Sequence, residues 1–188
     1  MEENLLSASK VTGEGFLAPR AVNDGRSIDP EEPAILAITD FTRETPITVD
    51  EDRPIDAALE DMIRFGVRAL LVLRERRIAG LITSYDIQGE RPLQFLQTST
   101  YEHHRDVRVG HIMTPWNELL ALDWDAVRHA RAGELLEVLR RVGRTHLLLI
   151  ERGADRRSVV RGLASRARFE RQVRPAPAGR VSAARAAT

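Results

Sequence analysis

The chain has 188 residues, 43% apolar and 30% charged, and its 28 basic and 28 acidic side chains cancel. Those proportions describe a water-soluble globular protein and exclude a disordered chain; the length suffices for one ordinary domain or two small ones. Cysteine is absent, which excludes disulfides, thiolate metal centres and cysteine nucleophiles and fits a reducing compartment.

The opening "MEENLLSASK" lacks the basic and apolar blocks of a secretory signal, and no apolar run reaches the roughly 18 residues of a membrane span. The chain therefore reads as cytoplasmic and free of membrane. Charge is uneven, acidic from Glu2 to Asp61 and basic beyond, with Lys10 the only lysine. Such polarity can orient subunits or attract anions.

Residues 1–32 show no sustained period and read as a flexible arm ending in "DPEEP". In the next segment, 33–97, "PITV" predicts a short strand, and Pro54 can open a helix. Ile55, Ala58, Leu59, Met62 and Ile63 recur at helical spacing and predict one apolar face, ended by Gly66. "ALLVL" is a continuous apolar run suited to a strand covered on both faces. "RERR" is a polar turn before the strand "IAGLIT". A helix starts at Ser84, breaks near Gly89 and resumes after Pro92 as "LQFLQ".

Residues 98–108 are polar and read as a linker, after which 109–173 repeat the pattern. "GELLEVLRRVG" is the helix closed by glycine, "HLLLI" the buried strand, "SVVRGLAS" the next strand and "RARFERQV" the last helix. Gly66 aligns with Gly143, Gly80 with Gly162, and Ile38-Thr39 with Met113-Thr114. The tail 174–188 is poor in large apolar residues and reads as loose. The expected fold class is α/β (α+β): two β-α-β-β-α units packed as a pseudo-twofold pair, since units that small bury little surface alone.

The stretch "GLITSYDI", in which Thr83 precedes Asp86 by three residues, returns as "GLASRARF", with Ser165 and Arg168 at the matching places. On local sequence Thr83 and Asp86 form a capping box, and Ser165 keeps the capping role. This element order with its repeated motif resembles the CBS domain, and the tandem resembles a Bateman module of the stand-alone bacterial CBS-pair type. The resemblance implies two units packed through their strands, with clefts that often hold AMP, ADP, ATP or S-adenosylmethionine. It implies regulation of a partner, with no catalysis and no catalytic cofactor. It also assigns Asp86 to accept from ribose hydroxyls and Thr83 to hold the ribose or phosphate side. Further cleft candidates by the same resemblance are Thr39 near the entry of the first unit, Val67, Arg68, Thr145 and His146.

That chemistry is sound, because a vicinal diol offers two donors to a carboxylate. Arg168 has only donors, so the second half is not an equivalent ribose site; it could contact a phosphate, fold outward, or pair with Glu134 or Glu170. Of the five histidines, His103 and His104 are adjacent, His111 and His129 have no carboxylate-rich partner at helical spacing, and His146 heads an apolar strand, so no metal site is assigned. No Gly-rich phosphate loop, nucleophile elbow or metalloprotease motif is present, and no enzymatic group can be named. The basic end carries one aromatic, Phe169, and no folded nucleic-acid reader. The expected partners are a second copy of the chain, an adenosyl ligand and a regulated protein. The alternative is a ligand-free dimeric scaffold.

Overall fold

The computed structural model describes residues 9–10, 15–16, 27–101, 103–153 and 157–174. Most of the flexible-arm and tail assignments thus fall outside the described residues. Two short strands, β1 (Ser9–Lys10) and β2 (Gly15–Phe16), come first. A 3₁₀ turn (Ala34–Leu36) leads into β3 (Thr39–Asp40). The first repeat then runs β4 (Thr48–Asp50), α1 (Ile55–Phe65), β5 (Ala69–Arg74), β6 (Arg77–Thr83), α2 (Ser84–Gln88) and α3 (Arg91–Thr98). After α4 (Val109–Ile112) and β7 (Thr114–Pro115) the second repeat follows. It contains β8 (Leu120–Asp123), α5 (Trp124–His129), α6 (Ala132–Val142), β9 (His146–Arg152), β10 (Ser158–Ser165) and α7 (Arg166–Gln172). The strand and helix β8 and α5 are additions to the elements that periodicity singled out.

Helix α1 starts after Pro54 and is closed by Gly66 at φ 66°; α6 is closed by Gly143 at φ 70°, the left-handed conformation that glycine adopts without cost. Ile55, Ala58 and Met62 are buried, but Ile63, expected on the same face, is 74% exposed. One residue beyond Met62 is a rotation of about 100°, which carries Ile63 off the inward stripe.

Strands β4 and β5 pair in parallel, β5 and β6 antiparallel, and β6 meets β7 antiparallel, giving the order β4-β5-β6-β7. The second sheet repeats it as β8-β9-β10-β3, with β1 added outside β8 and β2 pairing β10 in parallel. The strand that opens each sequence repeat therefore belongs to the sheet of the other. Thr114 and Pro115 lie opposite Leu81 and Gly80, while Thr39 and Asp40 lie opposite Leu163 and Gly162. In both hairpins the register slips by one residue just before the aligned glycine, a bulge that turns the strand toward the incoming edge.

The glycines at these crossings are steric necessities. A Cβ on Gly80 would stand 2.5 Å from the Thr114 carbonyl oxygen, and one on Gly162 would stand 2.7 Å from that of Thr39.

Alternation along the central strands feeds three cores. Leu70 and Val72 of β5 face a first-repeat core with Ile55, Ala58, Met62 and Ile82, whereas Leu71 faces the other way. Leu147 and Leu149 of β9 face a second-repeat core with Leu135, Leu139 and Phe169; Leu148 and Ile150 face away from it. Leu71, Leu81, Phe41, Leu148, Ile150 and Val160 form the third core, drawn from both sheets. Each fully buried residue of this kind contributes about 1.5–3 kcal/mol, so the contact between repeats is part of the folding core.

The stretches outside the repeats take part as well. Ile28, within the segment read as an arm, is 3% exposed and packs in the second-repeat core. Its amide donates to the Gln172 carbonyl at 2.8 Å and its carbonyl accepts from Arg174 at 3.0 Å; a bulky apolar side chain with both backbone groups satisfied is anchored. Val107, at the end of the expected linker, is wholly buried against the first repeat.

Candidate functional site

Thr83 ends β6 and caps α2. Its hydroxyl accepts from the Asp86 amide at 3.2 Å, and Asp86 Oδ2 accepts from the Thr83 amide at 2.8 Å and from its hydroxyl at 2.7 Å. The capping box expected from sequence is complete. The second carboxylate oxygen, Oδ1, lies 3.1 Å from Arg91 Nη1. That nitrogen also donates to the Ile112 carbonyl at 2.7 Å and the Thr114 hydroxyl at 3.2 Å. Arg91, which sequence reasoning missed, thus joins the capped helix to the exchanged strand β7. The Asp86 side chain is only 15% exposed.

His146 stands at the start of β9 in the second repeat, and the Asp86 charge acts on it. Burial pushes the His146 imidazole down to about 4, and the Asp86 carboxylate opposes that shift without overcoming it. One ring nitrogen, Nδ1, lies 3.1 Å from the Thr145 hydroxyl. At neutral pH the ring is uncharged and has one nitrogen that donates and one that accepts. In the unfolded chain it would take a proton near pH 6.5. The unfolded state thus binds more protons than the folded state between pH 6.5 and about 4, and stability falls on acidification through that window. His146→Gln is expected to flatten the dependence of melting temperature on pH there; a slope equal to that of the wild type would refute the assignment.

Arg68 and Thr145 occupy equivalent backbone positions. The Arg68 carbonyl accepts from Ser84 at 3.0 Å, and the Thr145 carbonyl accepts from Arg166 at 2.9 Å, tying each helix start to the strand before it. The Arg68 side chain is exposed. Val67 packs on the first-repeat core, its amide donating to Met62 at 2.9 Å. Both residues lead into Ala69, the β5 partner of Thr83.

Two expectations need correction. Thr39, placed by resemblance at the entry of the first unit, lies with the second, because β3 pairs with β10. Its hydroxyl accepts from Arg168 Nη1 at 2.8 Å. Ser165 makes no side-chain cap on α7; with Arg168 at the third helical position, no carboxylate is available to reach back to the Ser165 amide.

Arg168 itself bonds Gln172 through Nε at 3.1 Å, and among the described residues nothing accepts from its buried Nη2. Burial lowers its guanidinium pKa, Glu44 opposes that, and Arg171 adds to it. The two halves thus share one contact, an arginine on the threonine of the exchanged strand. In the first half that arginine, Arg91, also meets the helix-cap carboxylate of Asp86. A cavity of about 450 Å³ lies elsewhere, between α1, α2 and α3, lined by Leu59, Ile87, Pro92, Leu93, Leu96 and their neighbours.

The family model described as "CBS domain" matches residues 38–91, from the start of the exchanged strand to Arg91. This part of the chain is a CBS domain. It contains the Thr83–Asp86 cap, and the second repeat follows the same strand order. No curated protein matches the chain.

Solved structures share the CBS-pair fold. A protein described as a signal-transduction protein with CBS domains, from Burkholderia ambifaria, is 23% identical, with a TM-score of 0.50 over 67% of this chain and 80% of its own. A CBS-domain containing protein from Agrobacterium tumefaciens is 14% identical, with a TM-score of 0.50 over 69% of this chain and 85% of its own. A protein of Methanocaldococcus jannaschii, described as an archaeal homologue of γ-AMPK, is 20% identical, with a TM-score of 0.50 over 76% of this chain and 48% of its own. Among the described residues, no helix is long and apolar enough to cross a membrane.

Proposed function

We propose that this CBS pair is a regulatory sensor that binds an adenosine-containing ligand at Asp86 and modulates a protein partner. The observation that carries this reading is the Asp86 carboxylate. It is fixed by the Thr83 cap and only 15% exposed, and its electrostatic reach extends to His146 of the other repeat. A carboxylate accepts both hydroxyls of a ribose diol, and the neutral His146 imidazole can donate or accept toward a base or sugar. Arg168 makes the second half unsuited to the same diol, so the stoichiometry is one ligand per chain.

A ligand that binds only the folded state stabilises it by about 2.7 kcal/mol at one hundred times its Kd. Melting in millimolar AMP, ADP, ATP and S-adenosylmethionine should show a rise for at least one of them, and Asp86→Ala should abolish it. Four unmoved melting curves would remove the reading.

A second reading, a dimeric scaffold, is favoured by the exposure of Ile63 at 74%, Leu93 at 60% and Phe65 at 51%. These large apolar side chains on α1 and α3 suit a protein contact. A monomer in sedimentation at every concentration would refute it.

A further inference from the structure

We infer that Arg91 is a specificity-determining residue of the Asp86 site, its guanidinium standing on the carboxylate oxygen that a ribose diol would take. The inference rests on the adenosyl reading of Asp86 and deepens it.

The hydrogen bonds support it. Asp86 Oδ2 already accepts twice from Thr83, which leaves Oδ1 as the oxygen with free capacity. Arg91 Nη1 stands on that oxygen at 3.1 Å. The same nitrogen faces the Ile112 carbonyl at 2.7 Å and the Thr114 hydroxyl at 3.2 Å. A guanidinium Nη carries two hydrogens, so three acceptors compete for two bonds. The Ile112 bond is the shortest, and the contact with Asp86 can open while Nη1 keeps two partners.

The Arg91 side chain is 39% exposed, so water can solvate the guanidinium once its contact with Asp86 opens. An ion pair of that exposure is weak, and its loss is readily offset by a diol donating both of its hydroxyls to Oδ1. A ligand with one hydroxyl makes one bond, too few to offset the ion pair, and leaves Arg91 on Asp86. The latch therefore selects for an intact vicinal diol.

The contact also sets the direction of coupling. Arg91 grips Thr114 of the exchanged strand and Ile112 at the end of α4, so occupancy at Asp86 alters how firmly the second repeat's first strand is tied to the first.

The test uses the full chain with adenosine, which is uncharged, so that the lost arginine charge does not itself weaken binding of a phosphate. Calorimetry compares wild type, Arg91→Gln and Arg91→Lys with adenosine and 2′-deoxyadenosine, and circular dichroism confirms folding. Arg91→Gln is expected to bind adenosine about three- to five-fold more tightly than wild type, with a smaller gain for 2′-deoxyadenosine. Arg91→Lys, which keeps the charge, should lie between the two and serves as the reading if the glutamine variant does not fold. Adenosine binding that is unchanged or weaker in both variants overturns the latch and leaves the adenosyl reading standing. A gain of equal size for 2′-deoxyadenosine overturns the diol selection. Failure of wild type and both variants to bind adenosine overturns the latch, while the melting curves with AMP, ADP, ATP and S-adenosylmethionine decide the reading beneath it.

Discussion

Gly162→Val is expected to lower the unfolding free energy by about 3 kcal/mol or more, at the upper end of what overpacking costs. The Cβ alone would lie 2.7 Å from the Thr39 carbonyl oxygen and 3.3 Å from Leu149 Cδ1. The first of these is backbone and cannot rotate aside. Valine adds two methyl groups to that collision, so β3 must leave β10. Its departure exposes Phe41, which is 3% exposed and part of the core shared by both sheets. Gly66→Ala supplies an internal comparison. No atom lies within 4 Å of a Cβ there, and the only penalty is the positive φ of 66°, worth about 1–2 kcal/mol. Urea unfolding of the two variants measures the difference. Equal midpoints would mean that the β3–β10 crossing does not bear on stability.

Phe169→Ala should cost about 3–5 kcal/mol, the range for deleting a buried aromatic ring. Phe169 is 0% exposed and is the largest of the fully buried side chains. It lies on α7 in the second-repeat core with Leu135, Leu139, Leu147 and Leu149. These neighbours come from a helix and a strand that are themselves bonded into the fold, so they cannot close over the void. The change also loosens α7 beside Arg168, whose bond to Thr39 spans the repeats. Guanidinium unfolding is expected to show a lower midpoint with an unchanged slope. A midpoint within error of wild type would place the ring outside the core.

The elements were legible because local pattern and burial agree in this chain. The spacing of Ile55, Ala58 and Met62, the unbroken runs 69–73 and 146–150, and the glycines 66 and 143 each point to a structure that a few neighbouring residues determine. Thr83 and Asp86 were legible for the same reason, since a capping box closes over three residues. Ile63 was not, because a face two residues wide and one three residues wide differ little in sequence.

What distance brings together was hidden. Arg91 meets Ile112 and Thr114, twenty-one and twenty-three positions away, and Arg168 meets Thr39 across one hundred and twenty-nine. No period links such residues. The alignment of Ile38-Thr39 with Met113-Thr114 was visible, and so was that of Gly80 with Gly162. That the first pair of one copy rests on the glycine of the other became visible only in the sheets.

The crossing of β3 and β7 means that the unit duplicated in the sequence and the unit able to stand alone are different objects. A chain severed between α3 and α4 would yield two fragments, each carrying a strand its sibling needs and each presenting a vacant sheet edge. Two such fragments can be reunited by recovering both crossings at once, and two intact chains could satisfy the same pairings by lending strands to one another. A gene-splitting or tagging strategy for this protein should therefore cut after Arg174, since a cut upstream of Ile28 would part β1 and β2 from β8 and β10.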